Sequence, residues 1–227
     1  MTMYIAIDGP AGAGKSTVAQ RVANRLSIPY IDTGAMYRSV TWNALRMGIS
    51  IHDEIHLAQL AESLDIHFIP GAQGQTVYLG GEDVTQAIRS SEVGALVSTV
   101  AMHRLVREKL VERQRKMASE ATGVVMDGRD IGTHVLKDAD VKIYLTASLE
   151  TRAKRRYDEL VREGYKGTYA DVLETVAKRD ENDEQRTASP LRKAQDAVLL
   201  DTTTLSVDEV VEMIVALCEY RQLRKRS

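Results

Sequence analysis

Short apolar runs recur along the chain, separated by longer stretches in which apolar residues repeat every three or four positions. The runs occupy residues 4–7, 28–31, 124–126, 141–145 and 197–200. Apolar runs this short and this continuous predict strands covered on both faces. The helical spacing between them predicts βαβ units around a mostly parallel sheet. After the first run, residues 17–26 carry Val18, Val22 and Leu26 on one helical face. Three of the runs close on an aspartate, Asp8, Asp32 or Asp127, and the last two lead into Thr146 and Asp201. Polar groups at the carboxyl ends of strands lie where an open α/β sheet forms its ligand crevice.

Two regions break this rhythm. Within residues 63–90, Ile66-His67-Phe68-Ile69 and Thr76-Val77-Tyr78-Leu79 flank Pro70-Gly71-Ala72-Gln73-Gly74, a pattern that predicts an inserted antiparallel hairpin. Residues 148–190 predict two charged helices that act as a mobile cover. Ser148 caps the first, which runs to about Glu163; Gly164 and Gly167 interrupt, and Thr168 caps the second with Asp171 in its first turn. Ser206-Val207-Asp208-Glu209 predicts a capping box that opens an amphipathic C-terminal helix. The basic tail, residues 221–226, is expected to fray into solvent.

The 227 residues suffice for one large α/β domain or a core with small inserts. The balance of 44% hydrophobic and 27% charged residues is that of a globular protein, and a net charge of −2 favours neither nucleic acid nor an anionic membrane. No apolar run approaches the roughly 18 residues that span a bilayer. The single cysteine, Cys218, excludes an intrachain disulfide. Its helical spacing from Val207, Val211 and Ile214 predicts a buried core thiol. Entry into the first strand without a leader segment gives the expectation of a cytoplasmic protein.

Candidate chemistry enters with Gly9-Pro10-Ala11-Gly12-Ala13-Gly14-Lys15-Ser16, which satisfies G-x-x-x-x-G-K-[ST] at every defined position. Between a strand and a helix, such a loop turns its backbone N–H groups around a β-phosphate. Lys15 can reach the β- and γ-phosphates, and Ser16 can help to hold Mg²⁺. The loop with Thr17 thus predicts an ATP site, while leaving the acceptor open.

Arg152, Arg155 and Arg156 share one face of the first cover helix, and Arg179, Asp183 and Arg186 one face of the second. The ordinary reading of such faces is a solvated surface with internal ion pairs. The polyphosphate loop and the flanking glycines instead favour the first three as a cationic clamp on a transferred phosphoryl group. Asp32-Thr33-Gly34-Ala35-Met36-Tyr37-Arg38 offers a second anion site at a helix start, or else an ordinary capped helix with a surface arginine. Val124-Val125-Met126-Asp127-Gly128-Arg129-Asp130 sets two aspartates and an arginine after a buried strand.

Taken with residues 179–186, these segments resemble bacterial cytidylate kinases, nucleoside monophosphate kinases of the adenylate-kinase type. The resemblance runs from about residue 3 to about residue 217. It implies a three-layer α/β fold: a five-stranded parallel core (about 1–33, 91–147 and 191–227), an enlarged monophosphate-binding insert with antiparallel strands and helices (about 34–90), and a helical lid (about 148–190), in one domain. It implies that Thr33, Arg38 and Arg129 hold the monophosphate of CMP, that Tyr37 also binds the substrate, that Ser98, Arg107 and Asp130 read cytosine, and that Arg179 and Asp183 lie by the ribose with Arg186 close by. A carboxylate can accept from cytosine N4 but meets a lone pair on uracil O4. The implied reaction is Mg²⁺-dependent phosphoryl transfer from ATP to CMP or dCMP by a monomer, without nucleic-acid or membrane partners. The chain departs from the family pattern at His134 and Lys137.

Two other readings compete. A switch or remodelling ATPase would hydrolyse ATP without a small acceptor; a guanine-specific switch usually carries N-K-x-D, which is absent here. A kinase for another small acceptor, such as UMP or shikimate, would lack the cytosine contacts. His52 and His56 have a metal-like spacing, but Asp53 stands where the zinc motif needs Glu, and little in this segment points to a buried helix. Trp42 is expected to pack in the core.

Overall fold

The computed structural model describes residues 3–71, 74–162 and 164–226. Among these residues the strands are β1 (Tyr4–Asp8), β2 (Tyr30–Asp32), β3 (Ile66–Gly71), β4 (Gly74–Leu79), β5 (Glu82–Asp83), β6 (Val124–Gly128), β7 (Val141–Thr146) and β8 (Val198–Asp201). The α-helices are α1 (Lys15–Leu26), α2 (Thr33–Met47), α3 (Glu54–Glu62), α4 (Ser91–Val100), α5 (Arg104–Ser119), α6 (Leu149–Arg162), α7 (Tyr169–Gln185) and α8 (Val207–Arg226). They fall into two units, Met1–Tyr30 with Gly123–Ser227, and Ile31–Thr122.

The first unit is built on a five-stranded sheet in the order β2-β6-β1-β7-β8, and the division between the units falls within the edge strand β2. β1 pairs in parallel with both β6 and β7, and β7 with β8. Ile5 and Ile7 are fully buried, as are Val125, Ile143 and Leu145 beside them, because helices cover both faces. Val18 and Val22 of α1 and Val211, Ile214 and Cys218 of α8 close one of those faces. Each large apolar side chain buried there contributes about 1.5–3 kcal/mol. Burial pushes the Cys218 thiol up to about 12, which makes it an inert core group.

The second strand begins two residues later than the apolar run at 28–31 suggests. Ser27 ends α1 in the left-handed region, with φ of 53°, and the Ile28 amide closes that cap on Ala23 O at 3.0 Å. Pro29 has no N–H to give a ladder, although its carbonyl accepts from Val125 N at 2.9 Å.

α6 starts after Ser148, whose Oγ accepts from Thr151 N at 3.2 Å. Its expected end near Glu163 lies outside the described residues. Thr168 and Asp171 form a reciprocal capping box on α7, and Ser206 and Glu209 another on α8. The α8 backbone stays helical to Arg226, through the tail that was expected to fray.

In the second unit β3 and β4 pair antiparallel, Ile66 opposite Leu79 and Phe68 opposite Val77, and the short β5 adds to β4. The turn residues Ala72 and Gln73 lie outside the described residues. In this unit α3 packs with α2 and α5, and α4 packs with α2, so residues 91–122 group with the insert rather than with the core segment expected to hold them. α3 contradicts the reading of residues 52–56 as lacking a buried helix: Leu57, Ala58, Leu60 and Ala61 are buried along it. Asp53 caps it, accepting from His56 N at 3.2 Å while its other oxygen lies 2.7 Å from His56 Nδ1. Trp42 is half-buried rather than in the core, because the Arg46 guanidinium covers its ring at 4.5 Å and the indole lines a cleft of about 450 Å³ with Leu45, Ala87 and Val93. No helix among the described residues is long and apolar enough to cross a membrane.

Candidate active site

In the first unit, the loop between β1 and α1 is shaped by glycines at positive φ, including Gly12 at 74° and Gly14 at 85°. Gly9 is the tightest point: a Cβ there would lie 1.9 Å from Leu145 O, so the loop can leave the sheet in this way only without a side chain. Lys15 opens α1 and folds back over the loop, donating from Nζ to Pro10 O at 2.7 Å. Burial, helped by the nearby Arg129 charge, lowers the Lys15 ammonium to about 7.

Ser16 lies next along the helix. Its Oγ donates to Asp127 Oδ2 at 3.1 Å, and the buried Tyr30 hydroxyl donates to Asp127 Oδ1 at 2.7 Å. Parallel pairing of β1 with β6 sets Asp127 and the loop at the same carboxyl edge of the sheet. A hydroxyl and a carboxylate are hard oxygen donors of the kind that Mg²⁺ takes alongside substrate phosphates. This pair therefore fits the metal expected at Ser16 and extends it to Asp127.

Past β6, the Arg129 guanidinium donates from Nε to Asp183 Oδ2 at 2.6 Å, and Arg186 lies 3.6 Å from Asp183 and 3.8 Å from Asp130. Burial opposes charge on both Arg129 and Asp183, yet their mutual attraction wins, holding the arginine above and the carboxyl below its ordinary value. Arg129, Asp130, Asp183 and Arg186 thus lie together, although they come from three different expected roles: Arg129 from the monophosphate set, Asp130 from the cytosine set, and Asp183 and Arg186 from the ribose set. Arg186 stands just beyond α7 as its C-terminal cap, and there Nε donates to Ser189 O at 2.7 Å. Arg179 is one turn before Asp183 on α7 and adds positive charge beside Lys15 and Asp183.

The three arginines of α6 do not act together in this conformation. Arg152 is buried; it donates to Ala147 O at 2.9 Å and Ala11 O at 3.0 Å and pairs with Asp180. Arg155 donates to both Thr202 Oγ1 and Thr202 O, at 3.1 and 2.7 Å. Arg156 pairs with Glu159 on the surface. Asp180 completes the arrangement by accepting from the Ala11 amide at 3.2 Å.

In the second unit, Asp32 caps α2, accepting from Ala35 N at 2.8 Å, and holds Arg38 NH2 at 2.9 Å. Thr33, the first residue of the helix, is buried. The Arg107 guanidinium is also buried, 5.3 Å from the centre of the Tyr37 ring, and donates to Ala101 O at 3.3 Å. Ser98 is half-buried on α4.

Three functional candidates were not read as site residues from the sequence: Asp127, Asp180 and Asp8. Asp127 closes a strand at the ligand edge, which was a usable signal. Asp8 closes a strand in the same way, but the backbone amides that Asp8 and Asp180 meet are 123 and 169 residues away, and no local pattern marks such contacts.

Comparison with known proteins shows the family. The sequence model of the family described as cytidylate kinase matches residues 5–220. The cytidylate kinase of Bacillus subtilis is 53% identical over 219 residues, 96% of this chain and 97% of its own. That of Geobacillus kaustophilus is 55% identical over 217 residues, 96% of either chain. Among solved structures, a shikimate kinase from Bacteroides thetaiotaomicron aligns with a TM-score of 0.50 at 12% identity, over 96% of this chain and 98% of its own, a likeness of fold alone.

Proposed function

The chain belongs to the cytidylate kinase family, and we propose that it transfers the γ-phosphoryl group of ATP to CMP and dCMP, giving ADP with CDP or dCDP. The observation that carries the reading is the junction of the phosphate loop with the Asp127–Asp130 segment: Ser16 meets Asp127, and Arg129 and Asp130 follow at once. A donor loop and a turn with base-reading chemistry thus share one sheet edge.

The acceptor is a phosphate monoester, mostly dianionic at neutral pH, so it attacks without a general base. The residues have to neutralise and align two polyanions. Lys15 takes the β- and γ-phosphates, and their charge restores its own. Ser16 and Asp127 would hold Mg²⁺, which when bound would neutralise charge on the phosphate oxygens. In the first unit, Arg129 binds the acceptor phosphate, Asp130 accepts from cytosine N4, and Arg179, Asp183 and Arg186 serve the ribose. In the second, Thr33 and Arg38 serve the phosphate, Ser98 and Arg107 the base, and Tyr37 adds a further substrate contact. Residues 148–190 form the lid: Arg152, Arg155 and Arg156 leave their present partners to meet the transferring group, and closure excludes water. The enzyme works as a cytoplasmic monomer, its partners being the two nucleotides.

A coupled assay of ADP release with CMP, dCMP, UMP, AMP and shikimate tests the reading. CMP and dCMP are expected to stimulate release most strongly. Release that no acceptor stimulates would favour the ATPase reading, and preference for another acceptor would favour a different kinase.

A further inference from the structure

The turn that carries Arg129 and Asp130 is held by a residue outside it. We propose that Asp8 is a positioning residue that fixes this turn and so sets how the acceptor base is recognised. The inference rests on the reading of Asp130 as the base contact.

Asp8 is the last residue of β1, buried, and opposite Gly128 in the parallel pairing with β6. Its Oδ1 accepts from Ile131 N at 2.8 Å and its Oδ2 from Gly132 N at 2.7 Å. These are the first two amides of a π-helical turn, Ile131–Val135, whose N-terminal cap is Asp130. An aspartate at a cap ordinarily accepts such amides with its own side chain. Asp130 makes no capping hydrogen bond; its carboxylate instead faces Arg186. Asp8 performs the capping, and that leaves the Asp130 side chain directed elsewhere. The fit is close: a Cβ on Gly132 would lie 3.3 Å from Asp8 Oδ2 and 3.2 Å from Lys142 Cδ. Both Asp8 oxygens are spent on the turn rather than on the phosphate loop that starts at the next residue. Its charge also lies within electrostatic reach of Lys15, but its hydrogen bonds go to the turn, so its influence is expected chiefly on acceptor recognition and less on ATP.

The Asp8→Asn side chain keeps the shape but offers only one carbonyl oxygen, and its NH2 group would face an amide N–H. The test measures kcat and KM for CMP, UMP and ATP in the wild type and in Asp8→Asn. The expected result is a CMP KM raised about tenfold and a reduced CMP-over-UMP ratio of kcat/KM, with the ATP KM within about twofold of wild type. Gly132→Ala crowds the same contact from the other side and is expected to shift the same parameters; it decides the matter if Asp8→Asn does not fold. An unchanged CMP KM and selectivity, or an equal loss toward CMP and ATP, would overturn the positioning role. A wild-type enzyme inert toward CMP would overturn the reading of the site itself, and this inference with it.

Discussion

The Ser16 hydroxyl donates to Asp127 Oδ2 at 3.1 Å, which ties the phosphate loop to the carboxyl end of β6. If this pair holds the metal of the phosphoryl donor, Asp127→Ala removes one of its two protein oxygens. The kcat is expected to fall by about 100-fold or more, the scale seen when one preorganised electrostatic contact is lost. The Mg²⁺ concentration for half-maximal rate should rise with it. Tyr30→Phe, which deletes only the hydroxyl bonded to Asp127, is expected to lower stability by about 0.5–1.5 kcal/mol and to change kcat far less. Steady-state kinetics over a Mg²⁺ series checks both; a kcat unaffected by Asp127→Ala would remove the metal assignment.

Asp180 holds α7 against the phosphate loop through the Ala11 amide and through Arg152. A carboxylate at a loop amide occupies a donor suited to phosphate and repels the polyanion. Asp180→Ala is expected to lower the ATP KM by about twofold to fivefold, since a competing charge-assisted hydrogen bond is lost. The kcat should not fall, because Arg152 is released from a partner that it has to leave in order to meet the transferring group. Titration of ATP binding separates the two effects, and a raised ATP KM would mean that Asp180 assists the donor instead.

Asp8 gives a pH signature in stability. Burial, the dominant influence, raises its carboxyl from 3.8 to about 7, against the opposing Gly132 and Ile131 hydrogen bonds. A group whose pKa is raised by folding binds its proton more tightly in the native state. Its stabilisation is full below about 4 and is lost as pH rises to about 7. The Tm of the wild type relative to Asp8→Asn should therefore fall between pH 5 and pH 8, by at least about 2–4 °C for a chain of this length. Thermal melts of both proteins at the two pH values measure it; a difference that grows with pH would contradict the assignment.

The strands were legible because parallel strands covered on both faces must be apolar throughout, as Ile5-Ala6-Ile7 and Val124-Val125-Met126 are. The caps at Thr168 and Ser206 were legible because capping chemistry is local. α3 was not legible because its buried side is made partly of small residues, Ala58 and Ala61, and its first turn is polar, with Asp53, Glu54 and His56 around Ile55. The α6 arginines were correctly placed on a helix, but spacing could not reveal that Arg152 turns to Asp180 and Arg155 to Thr202. Partners of that kind are decided by how distant segments come together.

Asp130 carries the expected discrimination for cytosine. Asp130→Ala should cost about 1–3 kcal/mol of transition-state binding to CMP, the value of one good base contact, and much less for UMP. The ratio of kcat/KM for CMP over UMP is then expected to fall by about tenfold to a hundredfold. An unchanged ratio would assign base reading to other residues.

The central claim is that the group held at Lys15 and Ser16 is delivered to a nucleoside monophosphate and not to water. ATP labelled in its γ-phosphate, mixed with the enzyme, Mg²⁺ and CMP, tests this most directly. The label is expected in CDP, with little inorganic phosphate and little turnover when CMP is omitted. Label released chiefly as inorganic phosphate, at a rate indifferent to CMP, would contradict it.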